Sequence, residues 1–225
     1  MKVNPASSIV FYVRKKLYNS PIREKLYRFR ARTRLRNQSF TIISNNCWAW
    51  SVYEDLGINY NTPTVGLFFY APCYLKFVSD LKTYVNFPLR FKKTSSYQSA
   101  NLKRSRSQKQ YPIGVLGDVE IHFLHYKNEA EASEKWNRRI KRVNYNNLFL
   151  AFSDTDLCTI ELIQRFDQLE YPNKVFFGSK NYENVHSLVW LKCYQNDERI
   201  GDISTNRWSY RKYFDVVKWL NGFKN

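Results

Sequence analysis

The sequence predicts a mixed α/β fold: a mainly parallel sheet from two βαβ-like repeats, helices on both of its faces, and a basic helical arm at the N-terminus. Three observations carry this. Short apolar runs alternate with longer segments of helical periodicity, which is the pattern of βαβ units rather than of hairpins. Two stretches, about 40–85 and 147–180, repeat the same order of strand, cysteine-opened helix, proline turn and apolar strand. Gly and Pro are sparse at seven each and aromatics reach 17%, so 225 residues suffice for one well-buried domain, taken as 38–222.

The elements follow in order. Phe40–Ser44 reads as a buried strand and Cys47–Leu56 as a helix stopped by Gly57. Thr64–Phe69 reads as the next strand. Tyr74, Phe77, Val78, Leu81 and Val85 then mark a helix that Pro88 closes. Tyr111–Gly117 and Val119–His125 read as strands around a turn at Gly117-Asp118. Asn128 caps a helix whose stripe is Ala132, Trp136, Ile140 and Val143. In the second repeat, Asn147–Ser153 is a strand, Cys158–Leu169 a helix and Lys174–Phe177 a strand.

The net charge of +17 is unevenly placed. Residues 1–37 hold eleven Lys/Arg against Glu24 alone, and residues 92–110 add six basic and no acidic side chains. The rest is nearly neutral, with nineteen basic against eighteen acidic residues. The charge is therefore expected on an arm (1–37) and an insert (92–110). In the arm, Ile22, Leu26 and Phe29 fall at helical spacing among Arg23, Lys25, Arg28 and Arg30, the pattern of an amphipathic helix on an anionic membrane leaflet. A solvated or packed helix is the plainer alternative. Nucleic acid is disfavoured, because the neutral body carries no helix-turn-helix, zinc-finger or aromatic RNA-binding pattern.

Cys47, Cys73, Cys158 and Cys193 lie far apart with no C-x-x-C pair, which fits reduced thiols better than a zinc site or disulfides. No run of eighteen apolar residues occurs. The apolar run Ile9–Val13 leads into Arg14-Lys15-Lys16 rather than a cleavage site, so the expected location is the cytoplasm, with peripheral attachment to the inner face of the plasma membrane.

In open parallel sheets ligands sit beyond the carboxyl ends of the strands. This brings Ser44, Asn45, Asn46, Cys47 and Trp48 into one expected crevice with Ser153, Asp154 and Asp156. The runs Thr41-Ile-Ile-Ser-Asn-Asn-Cys47, Pro63-Thr-Val-Gly-Leu-Phe-Phe69, Gly117-Asp-Val-Glu-Ile-His-Phe-Leu-His125 and Tyr213-Phe-Asp-Val-Val-Lys-Trp219 together resemble the bacterial domain of unknown function 1919 family. The resemblance covers about residues 38–222 and implies a role in exopolysaccharide or capsule biosynthesis. It supplies no catalytic residues to carry over. Ala49-Trp50 departs from the small residues associated with the family after Cys-Trp.

Three readings suit these positions. Cys47, opening a helix, has the placement of a nucleophile, with His122 as base, Glu120 or Asp118 to orient it, and Asn45 or Asn46 as donors to an oxyanion. That arrangement would transfer an acyl group, from acyl-coenzyme A, to a polysaccharide precursor, and it is the preferred reading. On one strand face Asp118, Glu120 and His122 could instead hold a divalent metal. Asp154-Thr-Asp156 matches the Asp-x-Asp pattern of glycosyl- or phosphosugar transferases acting on nucleotide sugars. A non-enzymatic assembly factor is the third reading. Against these stand plainer roles: a buried structural cysteine, a hydrogen-bonded His122 on a strand edge, and a helix cap for the aspartates. His125 is placed among the substrate contacts, and His186 on the surface.

Overall fold

The structure is a computed structural model that describes residues 20–107 and 110–222. Its centre is a four-stranded, fully parallel sheet of β1 (Thr41–Ser44), β5 (Leu148–Ser153), β6 (Lys174–Gly178) and β7 (Leu188–Trp190), in that spatial order. Strict alternation sorts its side chains. Ile42, Phe149, Ala151, Val175 and Phe177 point to one face, and Ile43, Leu148, Leu150, Phe152 and Phe176 to the other.

Each face is covered. Against Ile43 and its neighbours lie α3 (Ala71–Ser79), α4 (Leu81–Asn86), α6 (Glu129–Ile140) and α7 (Ile160–Asp167). Against Ile42 and its neighbours lie α1 (Pro21–Arg34), α2 (Trp48–Leu56), α8 (Arg207–Arg211) and α9 (Val216–Leu220). The mixed α/β class with helices on both faces is thus what the chain adopts. The remaining elements are β2 (Arg90–Lys92), α5 (Gln98–Arg106), β3 (Ile113–Leu116) and β4 (Val119–His122), of which the strands form a separate antiparallel meander.

Local chemistry sets the boundaries much as expected. Gly57 ends α2 in the left-handed conformation at φ 68°, and its N–H bonds the Tyr53 and Glu54 carbonyls. The Asn128 side chain accepts from the Glu131 N–H to open α6, where Ala132 and Trp136 are buried and Ile140 and Val143 pack beside them. The expected helix over 71–85 breaks at Asp80, whose side chain caps a second helix by accepting from the Thr83 N–H.

Three expectations change. The segment Thr64–Phe69 does not join the parallel sheet as the closing strand of a first βαβ unit; Phe68 instead exchanges both backbone hydrogen bonds with His122 of the meander. Only the second repeat, β5-α7-β6, closes as a βαβ unit. The insert 92–110 is not a detached appendage, because β2 pairs with β3 and α5 carries Lys103 back to the sheet. The described part of the arm is likewise attached. Tyr27 and Ala31 of α1 pack on the core, and Arg28 turns inward to Glu54 and Asp55, which removes it from the expected membrane-facing set. Residues 1–19 of the arm lie outside the described residues.

Asp55 is the hub of that attachment. Its carboxylate is almost fully buried and meets Arg28 of α1 at 3.3 Å, Arg207 at 2.5 Å and Arg211 at 2.6 Å, the last two from α8. Removing the anion would leave three guanidinium groups converging on a neutral side chain, with only Glu54 and Glu24 to balance them. Asp55→Asn is therefore expected to cost about 3–5 kcal/mol, whereas Arg34→Ala, which breaks the exposed pair with Asp215, should cost under about 1 kcal/mol. Urea unfolding of both variants measures the contrast, and equal losses would refute the hub.

Candidate functional site

The crevice arises where two adjacent strands send the chain to opposite faces. After β1 the chain turns to α2 on one face, and after β5 it turns to α7 on the other. That divergence at neighbouring carboxyl ends opens a cleft. Its cavity of about 580 Å³ is lined by Asn46, Cys47 and Trp50 from the β1 end, Thr155 and Asp156 from the β5 end, Leu67, Phe68, Leu124 and His125 from the meander side, Lys103 from α5, and Arg199 to Asp202 with Ser204 and Thr205 from the C-terminal segment.

Asn45 joins the two strand ends. The backbone ladder between β1 and β5 stops at Ser44 and Ala151. Beyond it the Asn45 amide acts as the next rung: its Oδ1 accepts from the Ser153 N–H at 3.0 Å, and its Nδ2 donates to the Ser153 carbonyl at 3.1 Å and to Thr155 Oγ1 at 2.9 Å. Its own carbonyl accepts from the Phe69 N–H at 2.8 Å. Asn45 is fully buried and spent on structure, so it is no donor to a substrate oxyanion.

The start of α2 is also occupied from within. Asn46 Oδ1 accepts from the Trp48 N–H at 3.0 Å, and Ser44 Oγ accepts from the Ala49 N–H at 3.4 Å. These two N–H groups at the helix start are thus already bonded. Trp48 lies buried in an aromatic cluster with Phe177, Tyr210, Phe214 and Trp219 and does not line the crevice. Ser153 is buried.

Cys47 does line the crevice, and its thiol donates to the Leu67 carbonyl at 3.8 Å. Burial, reinforced by the nearby Asp202 carboxylate, pushes that thiol up to about 12, against the lowering that a helix start would give. At neutral pH it stays protonated. Asp202 itself is anchored by Ser204 and by the Thr205 hydroxyl.

The expected aspartate pair divides. Asp154 turns inward, where its carboxylate accepts from Ser179 Oγ at 2.7 Å and from Tyr182. Asp156 faces the crevice and bridges Arg199 and Lys103, the latter at 2.9 Å. The strand triad divides as well. Asp118 sits in the β3–β4 turn and pairs with Lys76 and Tyr84, so it does not share a strand face with the other two. Among the described residues no three His, Cys, Asp or Glu side chains converge as a metal site. The Asp118, Glu120, His122 and Asp154, Asp156 sets are thus each divided between separate surroundings.

Glu120 and His122 form a buried polar cluster of their own. His122 Nε2 lies 2.8 Å from Glu120, which also takes Lys92 at 2.5 Å, the Ser96 N–H at 2.9 Å and the Ser95 hydroxyl. The Tyr111 hydroxyl lies 3.3 Å from His122 Nδ1. Burial would raise the Glu120 carboxyl, but the bonds from His122, Lys92 and Ser95 outweigh it and hold the group well below its ordinary range. Neither side chain lines the crevice. The histidine that shares a wall with Cys47 is His125.

A second cavity of about 250 Å³ adjoins the first, lined by Val65, Gly66, Tyr126, Lys135 and Arg139, with Trp50 and His125 common to both. Gly66, at φ 72°, is needed at this junction, since a Cβ there would stand 3.2 Å from the His125 Cβ. Of the residues expected at the site, the structure gathers Asn46, Cys47, His125 and Asp156. It adds Lys103, Arg199 and Asp202, which lie in no recognisable motif, and Trp50, known in advance only as a departure from the family.

Two predictions follow from this geometry. Asn45→Ala should cost about 2–4 kcal/mol in urea unfolding, because the buried Ser153 N–H and carbonyl lose their partner; a loss below 1 kcal/mol would contradict the role as a rung. For Glu120, a carboxyl held below its unfolded value of 4.5, the stabilisation is complete above that pH and fades as pH falls through the lower folded value. Glu120→Gln should cost about 3 kcal/mol at pH 7, and the gap to the native chain should narrow as pH drops below about 4.5.

The family model described as "Domain of unknown function (DUF1919)" matches residues 18–221. A protein of Haemophilus influenzae (strain ATCC 51907 / DSM 11121 / KW20 / Rd) described as "Uncharacterized protein" is 38% identical over 192 residues, which cover 84% of this chain and 87% of that protein. With the match spanning the parallel sheet, the meander and the crevice between them, the chain belongs to the DUF1919 family.

Proposed function

We propose that this protein is a cytoplasmic transferase of surface-polysaccharide biosynthesis that moves an acyl group from a coenzyme A thioester to a saccharide hydroxyl, by direct attack rather than through an acyl-cysteine. The observation that carries the reading is the pair of adjoining cavities with His125 and Trp50 in their common wall. A transferase must hold two substrates with a base between them. The larger cavity is assigned to the donor, because Lys103 and Arg199 stand at its edge on Asp156, cations that a diphosphate would draw away from that carboxylate. The smaller one, with Trp50, Tyr126 and Arg139, suits a saccharide.

In the step proposed, the acceptor hydroxyl attacks the thioester carbonyl while His125 takes its proton. The carbon–sulfur bond then breaks, and the proton passes from His125 to the leaving thiolate. Cys47 remains a thiol in the wall, consistent with a pKa pushed far above neutrality. The pathway part of the reading rests on the resemblance to exopolysaccharide and capsule proteins.

A second reading has one observation in its favour. The same Lys103–Asp156–Arg199 arrangement suits the diphosphate of a nucleotide sugar, and the transferred group would then be a glycosyl or phosphosugar group.

The test pairs ligand binding with two substitutions. A specific donor at a hundred times its Kd adds about 2.7 kcal/mol, a rise of roughly 5–10 °C in melting temperature at this chain length. Acetyl-coenzyme A is expected to give it, and a shift with UDP-sugars alone would move the assignment to the second reading. No shift with either would favour an assembly factor. His125→Ala should lower transfer by about a hundredfold or more, and Cys47→Ala should leave it within about threefold, since the sulfur forms no bond in the step. The reverse pattern would restore the covalent route.

A further inference from the structure

Helix α1 is built the wrong way round for a helix that only covers a core. Ile22, Leu26 and Phe29, at spacings of four and three, share one face and are 80%, 45% and 65% exposed. The opposite face is the one that packs. Ala31 is buried, Tyr27 lies under the Arg211 guanidinium at 3.7 Å, Arg28 reaches Glu54 and Asp55, and Arg32 donates to the Asp55 carbonyl at 3.0 Å. The helix is therefore clamped by its polar side and shows its apolar stripe to solvent.

Cations border that stripe. On the helical wheel Lys25 lies to one side and Arg30 to the other; both are exposed, and neither makes an ion pair among the described residues. An apolar stripe between two cationic edges complements a surface that is apolar below and anionic above. We infer that α1 docks the protein on an anionic lipid bilayer, with Ile22, Leu26 and Phe29 entering the headgroup boundary and Lys25 and Arg30 at the phosphates.

Two other occupants are disfavoured by charge. A second copy on a two-fold axis would set Lys25 and Arg30 against their own counterparts. Residues 1–19 carry Lys2, Arg14, Lys15 and Lys16 and no acidic residue, so laying them on the stripe would gather like charges, whereas a lipid surface would attract both segments.

The experiment is co-sedimentation of the full chain with vesicles of phosphatidylcholine alone or with about one third phosphatidylglycerol. The expected result is partitioning at least about tenfold stronger onto the anionic vesicles, reduced by high salt. Leu26→Ser/Phe29→Ser and Lys25→Glu/Arg30→Glu should each lower it about tenfold or more, with the melting temperature unchanged because all four side chains are exposed. Undiminished binding by either double variant, or equal binding to neutral vesicles, would overturn the inference. So would a self-association that Leu26→Ser/Phe29→Ser abolishes without any effect of vesicles.

Discussion

The site depends on one side chain imitating a peptide. Where β1 ends, its neighbour β5 runs two residues further, and a backbone group would ordinarily have to follow it. The Asn45 amide supplies the missing donor and acceptor to Ser153, so the β1 backbone is free to turn away into α2 while the β5 end stays paired. The cleft is the space this divergence leaves. Because the Asn45 carbonyl also holds the Phe69 N–H, and Phe68 pairs with His122, the same residue ties the parallel sheet to the meander that forms the far wall.

Charge is organised on the same principle of placing ions where they join elements. Two carboxylates with several partners each, Asp55 and Glu120, are buried and multiply bonded, and each links segments far apart in sequence. The basic excess of the N-terminal segment is divided by them. Arg28 is drawn in by Asp55, and Lys25 and Arg30 are left outside. A similar division occurs in the insert, where Lys92 is held by Glu120 and Lys103 by Asp156 at the crevice.

The sequence made the layers legible because periodicity reports burial directly. β5 is buried along its whole length and α6 shows its stripe, and both were readable from apolar spacing alone. Thr64–Phe69 was misplaced for a physical reason: an apolar run states that a segment is buried and not which edge it pairs with. The site was legible at its strand ends, through Asn46, Cys47 and Asp156. Lys103, Arg199 and Asp202 reach it from a helix in the insert and from a loop after the last strand, and nothing local in those segments distinguishes them from solvated charges.

The histidines show what residue type alone does not convey. His122 and His125 are three apart in one motif, and Glu120 beside His122 has the look of an orienting carboxylate. Once folded, the Glu120–His122 pair sits inside, closed by Lys92, Ser95 and Tyr111. At Leu124 the chain has left β4, and the His125 N–H bonds the Gly66 carbonyl, which sets His125 between the two cavities. A buried acid–histidine pair is held by its neighbours, and a working base needs a lone pair open to substrate. Of the two histidines, only His125 meets the second requirement, and a left-handed Gly66 beside it is what makes room.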